Sequence, residues 1–255
     1  MKKRKAFLVI AALLGLSLFS FSQDTTILGV KVIFNYSASI FPPSWQALPI
    51  DAKGEPVESS EVKRCKQSVT RALSKYPAPL LRLNLKTVYY LKSMKFYNVG
   101  YGGTNSNNAL YLTDDGTLMG YTDLYLEQTF HHEFSSILFR NYTSFLDTSA
   151  WLQANVPGFD YNDPEKGVGA IRNNKSSQEF DTLLCSKGFL TQYALSGMEN
   201  DMNTIAQNLF SPSEGFWDYV ERFTRIKQKV NLLIDFYNRL DPVFTEDYFR
   251  KMKDE

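Results

Sequence analysis

The stretch TDLYLEQTFHHEFSSILFRNY, residues 122–142, constrains the fold more than any other part of the chain. Leu124, Phe130, Phe134, Ile137 and Leu138 recur at helical spacing, so a helix with an apolar stripe is predicted here. Thr122 or Asp123 is placed to cap it. The same helix carries both histidines of the chain, His131 and His132. Residues four apart share a helix face, so His132 sits with Gln128 and Ser136, and His131 with Glu127 and Ser135. An H-E-x-x-H helix holds zinc through two imidazoles four apart, and its glutamate acts as base on the metal-bound water. His132-Glu133-Phe134-Ser135-Ser136 keeps the first half of that pattern and has Ser136 at the second ligand position. On residue chemistry alone this site is one histidine short. His131 reads as a helix-face histidine paired with Glu127, with a ligand role as the alternative.

Around this helix the pattern changes from strands to helices. ILGVKVIFNYSA alternates and is rich in branched residues, so a strand is expected. FPPSWQALP is a proline-broken connection, and SSEVKRCKQSVTRALSKY a helix with a serine cap that stops at Pro77. LKTVYYLKSMKFYNVGYGGTNSNNALYLT reads as strands about a turn, with Gly100, Gly102 and Gly103 where another backbone comes close. No Lys-Ser/Thr and no helix follow GYGGT, which removes a phosphate-loop reading. Residues 143–177 read as a long loop, of the kind that is usually functional. Helical sequence returns in SSQEFDTLLCSKGF and ENDMNTIAQNLF, where Glu199 and Asp201 suit the positive end of the helix dipole. FWDYVERFTRIKQKVNLLIDFYNRL is expected to be one long closing helix with an aromatic stripe for packing. Strands followed by helices imply an α+β fold, strand-rich over 23–122 and helical over 123–255, in a single domain.

The N-terminus predicts export. Lys2, Lys3, Arg4 and Lys5 precede the apolar run AFLVIAALLGLSLF and a Ser20-Phe21-Ser22 triplet, the pattern of a cleavable signal peptide over residues 1–22. The apolar run is short for a membrane span, and no span is expected after cleavage. Of 28 Lys+Arg and 27 Asp+Glu, the leader holds four basic residues and no acidic ones, so the remainder is net acidic by three. A weakly acidic chain without a basic cluster is a poor nucleic-acid binder. Cys65 and Cys185 are the only cysteines. After export they can form one disulfide or stay as two buried thiols.

Two segments carry a resemblance to a known family. HHEFSSILFRNY resembles the HHEFxHIL helix, and GFLTQYALSGMENDMNTIA the GFVxxYAxxxxEDFxE segment, of the zinc-binding metallopeptidases of Bacteroidetes. These are also termed substrate-import-associated zinc metallohydrolases; they are zincin-like and distantly similar to the lethal-factor type of zinc protease. The likeness spans residues 124–209. It implies a zincin-like fold, a zinc cofactor, His132 as first ligand, Glu133 as general base and Tyr193 as the tyrosine supporting the oxyanion. The second ligand position falls on Ser136, and the third on Asn200 or Glu199 according to register.

Two functions follow as expectations. One is an exported zinc metallohydrolase built on His132, with His131 and a downstream carboxylate such as Glu199. The other is a non-catalytic protein of the same fold that uses the cleft, with Trp151, Tyr161 and the long loop, to bind a peptide, a glycan or an envelope protein.

Overall fold

A computed structural model describes residues 24–162 and 167–252; the expected leader lies outside the described residues. The strand-rich part runs β1 (Thr25–Ile27), β2 (Val30–Ile33), α1 (Pro43–Gln46), β3 (Lys53–Pro56), α2 (Val62–Ser74), α3 (Ala78–Asn84), β4 (Thr87–Phe96), β5 (Val99–Gly100), β6 (Gly103–Asn105) and β7 (Ala109–Thr113). The helical part runs α4 (Asp123–Asn141), α5 (Thr148–Gln153), α6 (Gly167–Arg172), α7 (Thr182–Lys187), α8 (Met198–Phe210), α9 (Phe216–Arg222), α10 (Thr224–Leu240) and α11 (Glu246–Lys251). The fold is α+β, as the order of patterns predicts.

The sheet has the order β1-β2-β4-β7-β6, with β3 and β5 pairing β4 off that path. β4 runs parallel to β2 and β7, while β1 and β6 pair antiparallel with β2 and β7. The first half of β4 is central, and its second half continues beyond to pair with β3 and β5. Alternation along β7 divides the sheet into two faces. Leu110 and Leu112 enter the main core with Phe130 and Phe134 of α4, whereas Ala109 and Tyr111 join a separate aromatic cluster with Phe41 and Phe96. The site lies at the β6 edge, where these two faces meet.

Several elements differ from the sequence-based expectation. Residues 143–177 hold α5 and α6 in place of one loop; Asp147 caps α5 by accepting from Ala150 N–H, which lets Trp151 bury completely. α2 does stop before Pro77, but Pro77 then serves as the N-cap residue of a second short helix, α3, beyond that expectation. No side chain caps α2 at Glu61. The closing helix breaks at Phe223, which is extended at φ −115° and ψ 105°. The bend lets Phe216 and Val220 on one side, and Ile226, Val230 and Leu233 on the other, reach the same core. Leu124 is 43% exposed and lies outside the stripe assigned to it. Both cysteines are free and buried: Cys65 donates to Asp114 Oδ2 at 3.2 Å, and Cys185 lies 3.8 Å from the Leu190 carbonyl.

Candidate functional site

From Phe130 to Leu138 every residue of α4 is buried, so this helix passes through the molecule and does not lie on its surface. Sheet, α2 and α8 surround it. A polar side chain in such a place needs a partner, because an unpaired buried group costs about 1–3 kcal/mol. Each polar residue of the helix centre has one. Glu127 meets Lys75 Nζ at 3.1 Å and also Arg71, and His131 Nδ1 lies 2.9 Å from the Tyr76 hydroxyl. His132 Nδ1 lies 2.8 Å from Gln207 Oε1, and Glu133 Oε2 accepts from Asn105 Nδ2 at 2.6 Å. Ser135 accepts from Tyr237, and Ser136 accepts from Asn203 Nδ2 at 2.7 Å.

These pairings separate the two histidines. His131 is fully buried, stacks on Phe210 with ring centroids 4.9 Å apart, and lines no part of the cleft. It is not paired with Glu127, which is held by Lys75; burial and that neighbouring cation push the His131 pKa well down. His132 faces the cleft. Gln207 Oε1 accepts from its Nδ1, which leaves Nε2 as the acceptor of a neutral ring. Burial lowers its pKa and keeps it neutral.

The cleft has two connected lobes, of about 280 and 650 Å³, which share Tyr101, Gly103, His132, Glu133 and Tyr193. The larger also reaches Ser136, Glu199 and Asn200. The predicted residues His132, Glu133, Ser136, Tyr193, Glu199 and Asn200 therefore converge on one cavity. The Tyr193 and His132 rings are 6.0 Å apart. Glu133 is pushed up to about 7, first by burial, with Asn105 and Arg140 pulling down and Glu199 pushing up. Burial also raises the Tyr193 phenol.

Other wall residues were not foreseen. A Cβ on Gly103 would lie 2.5 Å from Thr129 Cγ2 and 2.9 Å from Glu133 Oε1, so only glycine lets β6 close on α4. Arg140 clamps the end of this strand through Asn105 Oδ1 at 2.5 Å and the Ser106 carbonyl at 3.0 Å, and reaches Glu199 at 3.4 Å. Asn200, Asn203 and Gln207 form a polar stripe on α8 at helical spacing, a signal that the sequence did contain. Asp201 does more than favour a helix dipole. It is buried, 2.5 Å from Lys229 Nζ, and accepts from Trp151 Nε1 and the Tyr161 hydroxyl. Tyr161 lines the cleft, whereas Trp151 supports it from behind.

The side chains around His132 do not form the donor set that zinc takes. Such a set uses imidazole, thiolate or carboxylate from at least three residues. Here the second position is a serine hydroxyl bonded by an amide, Asn200 Nδ2 donates to Ser196 Oγ at 2.8 Å, and Glu199 turns to Arg140. Among the described residues no group of three His, Cys, Asp or Glu is arranged for a metal.

No protein-family profile matches the sequence, and no curated protein matches it significantly. A structural likeness does exist, to the crystal structure of a "putative zinc-binding metallo-peptidase" from Bacteroides caccae. It has 17% sequence identity and a TM-score of 0.54, and covers 78% of this chain and 77% of that one. At that identity the likeness is one of fold: the chain shares an α+β, zincin-like architecture with that protein.

Proposed function

We propose that this is an exported zincin-fold protein that has given up zinc-centred hydrolysis and binds an extended peptide in the former cleft. The observation that carries the reading is the bond from Asn203 to Ser136, which occupies the second ligand position with a neutral polar pair. Two features favour a peptide over a glycan. β6 is an edge strand, and the described residues pair nothing on its outer side. Its inward bonds run through Gly102 to Thr113 and Ser106 to Ala109, so alternation turns the backbone groups of Gly103 and Asn105 outward. An extended segment adding there would gain main-chain hydrogen bonds while its side chains enter the cleft. The leader pattern supports export, and no helix among the described residues is long and apolar enough to cross a membrane.

The test combines metal analysis with peptide binding. Purified protein should carry zinc well below one equivalent, before and after His132→Ala. Peptides selected from an unbiased displayed library should lose affinity when amides at alternate positions are N-methylated, in one register and not the other. Stoichiometric zinc in wild type that is lost in His132→Ala would establish an atypical metallohydrolase instead. Insensitivity to N-methylation would remove edge pairing.

A further inference from the structure

We propose that the pocket formed by Trp45, Ile50, Phe96, Tyr97, Tyr101 and Thr104 is a second binding site, for an aromatic side chain of the ligand that pairs with β6. It rests on the peptide reading above and adds a specificity to it.

The argument comes from the pairing of β6 with β7. Residues directly opposite on neighbouring strands share a face of the sheet. Gly103 and Asn105 pair with Leu112 and Leu110, whose side chains point to the α4 side. Thr104 pairs with Tyr111, which belongs to the aromatic cluster on the other face. A strand added to the outer edge of β6 must alternate in the same way. When one of its residues lies over Glu133 and His132, the next is directed to the Thr104 side. There the pocket opens, with Tyr97, Tyr101 and Thr104 lining both it and the larger lobe of the cleft.

The pocket suits an uncharged ring. Its volume is about 200 Å³ and no charged residue lines it; an apolar cavity of roughly 150 Å³ already takes up benzene. Its walls are set before any ligand arrives. Trp45 meets Phe96 edge-to-face at 5.6 Å and 89°, and Phe96 meets Tyr101 at 5.2 Å and 81°. Tyr97 stands in the turn between β4 and β5 at φ 54°, followed by Asn98 at φ 60°. A bulky residue in that left-handed conformation is unusual, and here the two-residue hairpin joining β4 to β5 imposes positive φ at both of its central positions. Tyr97 is held by its N–H, which donates to the Ile50 carbonyl at 2.7 Å, and by Arg172 on its own carbonyl at 3.3 Å. The strained backbone keeps the Tyr97 ring on the wall that the two cavities share.

The experiment titrates N-acetyl-phenylalaninamide and N-acetyl-alaninamide into the purified protein and follows tryptophan indole N–H resonances. Trp45 is half-buried and is assigned through Trp45→Phe, while the buried Trp151 and Trp217 serve as internal controls. The phenylalanine probe should shift Trp45 saturably, leave Trp151 in place, and bind about tenfold or more tighter than the alanine probe, as expected for burying one ring. Thr104→Trp, which fills the pocket from β6, should abolish that preference with the α4 resonances unchanged. Equal response to both probes, or a preference that survives Thr104→Trp, overturns the proposal. Two results separate it from the reading beneath it. Peptides that show register-dependent N-methyl sensitivity but no aromatic preference, with Trp45 silent, overturn the pocket alone. A Trp45 response without peptide binding at the edge supports the pocket and removes the peptide reading.

Discussion

Asn203 on α8 donates at 2.7 Å to Ser136 on α4, which stands four residues after His132, where an H-E-x-x-H helix has its second imidazole. Ser136 is only 3% exposed, so this pair is part of the packed interior as well as the cleft floor. Restoring a ligand here therefore requires the partner's space as well as a new side chain.

Ser136→His alone is expected to gain little zinc affinity. Combined with Asn200→Glu and Asn203→Ala, it should bind zinc about tenfold or more tighter than wild type, because preoriented ligands need no new segment to be ordered. Calorimetric titration of the three proteins measures the difference. No gain in the triple variant would mean that the α4 and α8 faces do not converge as zinc requires.

Glu133 makes stability depend on pH. Its folded pKa is raised from 4.5 to about 7 by burial, so between those values the folded state keeps a proton that the unfolded state has lost. Stability from this group is complete below the lower value and falls as pH rises through the window. Glu133→Gln should remove that decline and be more stable than wild type near pH 8 by on the order of 2–3 kcal/mol. Urea denaturation of both proteins across the range checks it. His132, lowered by burial, slopes the opposite way and is common to both.

The buried pair of Asp201 and Lys229 should be intolerant of single changes. Burial pushes the Asp201 pKa up and that of Lys229 down, and the 2.5 Å contact opposes both shifts. Asp201→Asn leaves the Lys229 ammonium with the Gly188 carbonyl and the Trp151 and Phe189 rings. A loss of about 3–5 kcal/mol is expected. Asp201→Asn with Lys229→Met should recover most of it in equilibrium denaturation. If the double variant is no better than the single, the loss comes from the Trp151 and Tyr161 hydrogen bonds.

Tyr97 should show stability and binding moving in opposite directions. A left-handed residue costs roughly 1–2 kcal/mol, which asparagine avoids through its tolerance of that conformation. Tyr97→Asn is expected to be more stable by about 1 kcal/mol and to bind N-acetyl-phenylalaninamide more weakly. A loss of stability would show that the ring contributes more to packing than the backbone costs.

The histidine helix, the strand-first order and the helices over α2 and α8 were legible because each is long enough to show its period. α5, with six residues, is less than two turns, and only the Asp147 cap signalled it. The break at Phe223 was hidden because both halves keep helical periodicity, and only shared burial in one core demands the bend. Within the site, His132, Glu133, Ser136, Tyr193, Glu199 and Asn200 could be read from two short segments. Asn105 could not, because β6 reaches α4 only through a contact that Gly103 permits. The burial of His131 was missed for a related reason: Tyr76 and Phe210, which enclose it, are distant in sequence.

The burial of the centre of α4, from Phe130 to Leu138, bears on how such a protein can evolve. His132 answers to Gln207 and Ser136 to Asn203, so a residue on one helix is acceptable only with a particular opposite number on the other. A lone substitution leaves an orphaned dipole in the interior, which selection removes before any change in function is felt. Sequence change at this floor must then proceed by coupled double steps. A chain that had exchanged its imidazole for the serine–amide pair would find the path back blocked by epistasis, while the exposed rim, free of such coupling, could go on diversifying toward new ligands.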